Sequence, residues 1–143
     1  MLRASRVGML STRYEISEAD AVLCTWKPTA FFGGGEFVLD GRRFEVTRGG
    51  WTGRRYRLFD ETGEQVATAD GVGRLAWTLE TGGVTYSFER TSLFRNEHVL
   101  AGEPGSVRRT SAWFGEAEAD LPGLPQPVQV FVLASLLSVW DED

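Results

Sequence analysis

One cysteine, one histidine and one lysine are all that the 143 residues contain of those types, and the scarcity removes whole classes of chemistry. A lone Cys24 forbids an intramolecular disulfide, so the chain is held by its core alone. His98 has no second histidine and no cysteine pair to join, which excludes a zinc site built from one chain. No G-x-S-x-G nucleophile pattern occurs. The start, MLRASRVGML, lacks the apolar run of a signal peptide, and a cytoplasmic location is expected. Before residue 122 no stretch repeats its apolar residues at helical spacing.

What is present points to β-structure. Seventeen glycines suit many tight turns, and aromatics make up 12 % of the chain. The length gives one domain with a self-sufficient core. A net charge of −5 argues against nucleic acid as a partner and against general attraction to anionic membranes. Every basic residue except Lys27 is arginine, a skew that fits GC-rich codon usage and discounts any arginine cluster.

Residues 1–11 read as a flexible leader, followed by a single domain over 12–143. Tyr14–Ile16 and Ala21–Trp26 read as extended. Phe31–Gly35 is a glycine-rich turn that lacks the Lys-Ser/Thr of a phosphate-cradling loop. Asp40-Gly41 sits between two alternating runs, a two-residue hairpin signal. Further hairpins are expected around Asp60–Gly63, around Thr81–Gly83, and between Leu93–Ala101 and Val107–Glu118. Phe44 and Val46, Tyr56 and Leu58, Trp77 and Leu79, and Tyr86 and Phe88 alternate with polar neighbours, giving each strand one wet and one dry face. Roughly ten such strands imply a sandwich or barrel.

The stretch Gln126–Trp140 (QPVQVFVLASLLSVW) carries no charge, and only Gln126, Gln129, Ser135 and Ser138 interrupt its apolar run. A helix that is hydrophobic all round must be surrounded by protein or by lipid. About 15 residues are too few for a bilayer span, which needs roughly 20. The flank Asp141-Glu142-Asp143 is acidic, so a core helix over about 125–140 is expected, wrapped by the strands, and not an integral membrane protein. Pro125 and Pro127 fall at its first turn, where a missing N–H costs nothing. No Ser, Thr or Asp stands immediately before it as a cap. The fold class is therefore mainly β: a closed antiparallel barrel of short hairpins around a central hydrophobic C-terminal helix.

The hairpin RRYRLFDETGEQVATAD, the segment EAEADLP and the hydrophobic helix that follows, in an order running from Tyr14 to Trp140, carry a resemblance. The chain resembles the Tubby C-terminal-like superfamily, in its LURP-one-related and phospholipid-scramblase-like branch, as a short bacterial member. The resemblance implies a barrel of about a dozen strands enclosing a helix. It also implies recognition of anionic lipid headgroups through basic surface residues. The chain has no cysteine-rich tract, no D-x-[DN]-x-[DN]-G calcium loop and one lysine, so the resemblance carries fold further than activity.

Arg54, Arg55 and Arg57, with Arg42, Arg43 and Arg48 nearby, form the main basic concentration. Arg55 and Arg57 share a strand face and could clamp a phosphate or carboxylate; the plainer reading is a solvated face paired with Glu45 or Glu64. Glu116, Glu118 and Asp120 line one face and could hold a divalent cation or act as an acid–base pair; the plainer reading is a solvated edge. His98 reads as structural, Cys24 as a core residue sharing a face with Val22 and Trp26, and the five tryptophans as core filling. The leading functional expectation is a non-catalytic binding domain without a cofactor. It would take an anionic ligand, such as a lipid headgroup, or a protein partner through Arg54, Arg55 and Arg57. A carboxylate- or metal-dependent enzyme and a purely structural domain are the alternatives.

A buried core helix makes a direct prediction. Phe131→Asp places a charge where no water reaches and should abolish folding; a soluble, cooperatively unfolding Phe131→Asp protein would place the helix outside the barrel.

Overall fold

Turn chemistry sets the architecture. Asp40 and Gly41 take consecutive positive φ values of 52° and 75°, and Gly82 and Gly83 take 60° and 75°. Paired left-handed residues match the twist of two antiparallel strands and fold the chain straight back. The structure, a computed structural model, describes every residue except 9, 30–32, 52, 92–95, 112, 114 and 143. Parts of the expected glycine turn at Phe31–Gly35 and of the expected strands at Leu93–Ala101 and Val107–Glu118 therefore lie outside the described residues.

Twelve strands follow in order: β1 (Leu2–Arg6), β2 (Tyr14–Glu18), β3 (Ala21–Pro28), β4 (Gly35–Leu39), β5 (Arg42–Gly49), β6 (Arg55–Phe59), β7 (Gln65–Asp70), β8 (Ala76–Thr81), β9 (Val84–Arg90), β10 (Glu97–Leu100), β11 (Ser106–Ser111) and β12 (Glu116–Asp120). One helix, α1 (Gln126–Glu142), ends the chain. Every strand pairs antiparallel with its neighbours in sequence, and β1 pairs with β12 to close the barrel.

Two expectations are corrected here. Residues 2–6 are not a flexible leader. They form β1, whose Leu2 and Ala4 are fully buried and whose backbone pairs with β2 and β12. Val107–Glu118 is not one strand. β11 and β12 are separate and pair with each other, so Glu116–Asp120 lies in a closed wall rather than at an edge.

Inward positions hold the core: Ile16, Trp26, Phe37, Phe44, Tyr56, Leu58, Leu79 and Phe88 are almost completely buried. Outward positions such as Arg43, Glu45, Arg55, Arg57 and Glu80 are exposed. A barrel that spans lipid presents an apolar outer band instead. No helix among the described residues is long and apolar enough to cross a membrane.

The helix runs up the interior. Eleven of its seventeen residues are buried, among them Phe131, Leu133 and Leu136. Each fully buried Leu, Val or Phe contributes about 1.5–3 kcal/mol, so enclosure dominates its placement. The start solves the missing cap: the Pro125 carbonyl accepts from Val128 and Gln129 N–H groups at 3.0 Å, and Pro127 has no N–H to satisfy. Ser135 and Ser138 donate to the carbonyls of Phe131 and Ala134, one turn back, at 2.8 and 3.0 Å.

Two core assignments fail. Trp51 and Trp113 are exposed, while Trp26, Trp77 and Trp140 fill the core. Val22 points outward because a bulge shifts the β2–β3 register, pairing Ile16 with Cys24 but Ser17 with Val22. The extra residue breaks the alternation.

Strand β1 generates the prediction for this architecture. A chain lacking residues 1–6 exposes the edges of β2 and β12, and should lose cooperative urea unfolding and self-associate in size-exclusion chromatography. A monomeric, cooperative truncated protein would show that β1 is dispensable.

Candidate functional site

An up-and-down barrel with the helix entering after β12 has two unlike ends. Three two-residue turns, 19–20, 40–41 and 82–83, lie at the end where α1 begins; every connection where α1 emerges has at least four residues. At that second end, the mouth, several strands carry their inward-facing series one step too far for apolar residues. Leu2 and Ala4 are followed in phase by Arg6, Phe44 and Val46 by Arg48, Phe88 by Arg90, and Val107 by Arg109; Arg54 precedes Tyr56 and Leu58 in the same phase.

These arginines surround the last turn of α1. Arg6 Nη2 donates to the Tyr14 hydroxyl at 3.1 Å and to Asp141 at 3.2 Å, and the Tyr14 hydroxyl donates to Asp141 at 2.9 Å. Arg48 makes a two-pronged pair with the Glu142 carboxylate, donates from Nε to the Gly53 carbonyl at 2.5 Å, and lies 5.6 Å over the Tyr56 ring. Arg54 donates to the Val72 carbonyl at 3.2 Å, and Arg109 lies 5.9 Å over the Trp140 ring. Carboxylates at a helix C-terminus oppose the helix dipole, so Asp141 and Glu142 need cations beside them.

A cleft of about 480 Å³ opens here, lined by Trp26, Gly34, Arg48, Ser138, Asp141 and Glu142 among others. Gly34 has φ 73°, and a Cβ there would collide with the Val46 carbonyl, so only glycine lets the wall close this tightly. Among the described residues, two buried side-chain polar atoms lack a hydrogen-bond partner: Arg6 Nε and the Tyr56 hydroxyl. Both belong to the mouth. Burial pushes the Tyr56 phenol above its ordinary range, against the pull of Arg48 and Arg54, so it stays protonated. Burial likewise raises Tyr14.

The sequence-predicted basic trio does not act as one cluster. Arg55 and Arg57 are exposed on the outer face of β6, and Arg55 pairs with Asp70 at 3.1 Å rather than with Glu45 or Glu64. Arg54 turns away to the mouth, where its carbonyl also accepts from Gly71 and Val72. Glu116, Glu118 and Asp120 share an outward phase as expected, but Glu118 is held by Arg3 at 3.2 Å and Arg108 at 2.9 Å. No group of three His, Cys, Asp or Glu among the described residues could hold a metal ion. Cys24 is buried, and desolvation pushes its thiol up to about 11, which leaves little thiolate at neutral pH.

Among the inward arginines, cluster reasoning missed Arg6, Arg90 and Arg109, and grouped Arg54 and Arg48 with outward neighbours. Their signal is phase: an arginine in step with buried residues at the mouth end of its strand. No protein-family model, curated protein or solved structure matches the chain. Chemically, the cleft itself is lined by the Arg48 guanidinium beside the Asp141 and Glu142 carboxylates, with Thr12, Thr29 and Ser138, and the other mouth arginines and the two tyrosines stand outside its lining.

His98 packs beside this site. It is buried, accepts a 3.0 Å hydrogen bond from Trp77 Nε1 at Nδ1, and lies near Trp140. Burial, with Arg90 adding to it, pushes the imidazole down to about 4. An unfolded chain takes up this proton near pH 6.5; the folded protein does so only near pH 4. The stability contributed by neutral His98 is therefore complete above pH 6.5 and lost as pH falls towards 4. Between pH 7 and 4.5 the wild type should lose about 1–3 kcal/mol more than His98→Gln, measured by urea midpoints. Parallel losses in the two proteins would refute this.

Proposed function

We propose that the chain is a non-catalytic binding domain whose barrel mouth takes an anionic, phosphate-bearing ligand of the lipid-headgroup kind. One observation carries the reading: the two buried polar atoms without partners, Arg6 Nε and the Tyr56 hydroxyl, are both donors and both lie among the mouth arginines. Buried donors are almost always paired, and an acceptor-rich anion is the complement of such a set. The mouth replaces the outer face of β6 as the site, since Arg55 and Arg57 there are exposed and the buried donors without partners lie at the mouth.

Glu142 acts as an internal stand-in. Its carboxylate meets Arg48 in the two-pronged geometry that a phosphate would use. Ligand binding then exchanges one anion for another on Arg48. Twelve strands closed around a single helix are the fold that the Tubby-like resemblance implies. A cytoplasmic location accords with a solitary, unreactive Cys24.

The test uses soluble glycerol phosphate, followed by amide chemical shifts and calorimetry. Arg48→Gln should weaken binding about tenfold or more, Glu142→Gln should tighten it, and the double variant Arg55→Gln/Arg57→Gln should leave it unchanged. Urea midpoints of each variant report whether the barrel is intact. Loss of binding in the Arg55/Arg57 variant alone, or no binding by any folded form, would overturn the reading.

A further inference from the structure

The walls of the mouth cleft accept more hydrogen bonds than they donate. Among the described residues of its lining, Arg48 is the single cationic side chain, and it stands beside two carboxylates, Asp141 and Glu142. Ser138 lines the cleft one turn earlier on α1, on the same side of the helix as both. Its hydroxyl proton is committed to the Ala134 carbonyl at 3.0 Å, so towards the cleft it can only accept. The helix side of the cleft is thus a set of acceptors that calls for a donor. A fully ionised phosphate has none to offer.

Charge balance leads to the same requirement. Asp141 keeps Arg6 and the Tyr14 hydroxyl whatever happens in the cleft. Glu142 has Arg48 for its cation. A phosphate that takes Arg48 strips Glu142 of that cation at the negative end of the helix dipole, where a carboxylate is already disfavoured. A ligand that carries its own cation restores the balance, with its anion on Arg48 and its cation on Glu142. The side chains suit the exchange. Arg48 is tethered through Nε to the Gly53 carbonyl and stays in place, whereas the Glu142 side chain is 45 % exposed and free to turn.

We propose that the cleft takes a small soluble zwitterion, with a phosphate and a primary ammonium on one molecule: the phosphate sits on Arg48, and the ammonium between Glu142 and Ser138. The inference rests on the anion-binding reading of the mouth and adds a cationic subsite to it. An ammonium offers three donors, which matches the acceptors along the helix. It also lies at the end of a helix that favours positive charge. Trp26 and Pro28 in the wall give the carbon linker between the two charges an apolar surface. A volume of about 480 Å³ is that of a small-molecule site. A chain of net charge −5, with two carboxylates at this end, is not drawn to an anionic bilayer, so the ligand arrives from solution.

Calorimetry on the full chain tests this with O-phosphoethanolamine and glycerol phosphate. The wild type should prefer O-phosphoethanolamine about tenfold or more. Glu142→Gln should cut that preference to about threefold or less, because glycerol phosphate gains from the loss of its competitor while O-phosphoethanolamine loses its ammonium partner. Ser138→Ala should lower the preference about threefold and leave glycerol phosphate unchanged. Val84→Ser, at the opposite end, should alter neither affinity. Urea midpoints report whether each variant keeps its barrel. Equal affinities in the wild type, or a preference that survives Glu142→Gln, would overturn the cationic subsite and keep the anion reading; binding of neither phosphate would overturn both. Displacement of O-phosphoethanolamine by phosphatidylethanolamine vesicles would overturn the soluble source.

Discussion

An α-helix without a polar face dictates the rest of this molecule. Buried all round at Phe131, Leu133, Ala134 and Leu136, it has to be enclosed on every side. A sandwich could cover it only in part. A sheet that closes on itself covers it completely and removes both sheet edges in the same step. The barrel and the helix are therefore a single solution: the helix fills an interior that a ring of twelve short strands would otherwise leave wide, and the strands, with Val72, Leu121 and Leu124 from the connections, supply its apolar surroundings.

That solution leaves one difficulty, at the place where the helix emerges. The negative end of the helix dipole coincides with Asp141 and Glu142, so the exit is electrostatically unfavourable by itself. Arg6 and Arg48 resolve it from the surrounding strands. Exposed pairs of this kind are worth about 0–1 kcal/mol each, small beside the burial of the helix. Their role is positional: they fix where the last turn sits. Assembling several guanidinium groups for that purpose also yields donors beyond what two carboxylates use, and a structural remedy becomes a place where an anion can bind.

Much of the fold was readable along the chain because its signals are local. Asp40-Gly41 and Gly82-Gly83 name their turns by conformational need, and Phe44/Val46 or Tyr56/Leu58 name their faces by alternation. The helix was readable from the absence of charge. What stayed hidden depends on remote partners. β1 offers only Leu2 and Ala4 as inward apolar residues, too few to mark a strand, and acquires its identity from β12. The break between β11 and β12 was hidden because Ala-Trp-Phe-Gly reads as strand rather than turn. Arg54, Arg55 and Arg57 were grouped by proximity, whereas alternation sends Arg54 to the mouth and the other two outside. Arg6 and Arg48 are 42 positions apart and come together only once the ring has closed, although each announces itself by sharing phase with buried neighbours.

The seam between β1 and β12 also orders events in time. Its partners stand at opposite ends of the chain, with Arg3 and Glu118 separated by 115 positions. During synthesis β1 must wait, unpaired on one side, until β12 has left the ribosome, and the helix follows later still. Closure before the helix arrives would seal out its own core. Closing the seam around α1 requires a long-range encounter of the kind that retards β-rich topologies. A chain built this way is most exposed to aggregation before the seam closes, while two sheet edges are still bare.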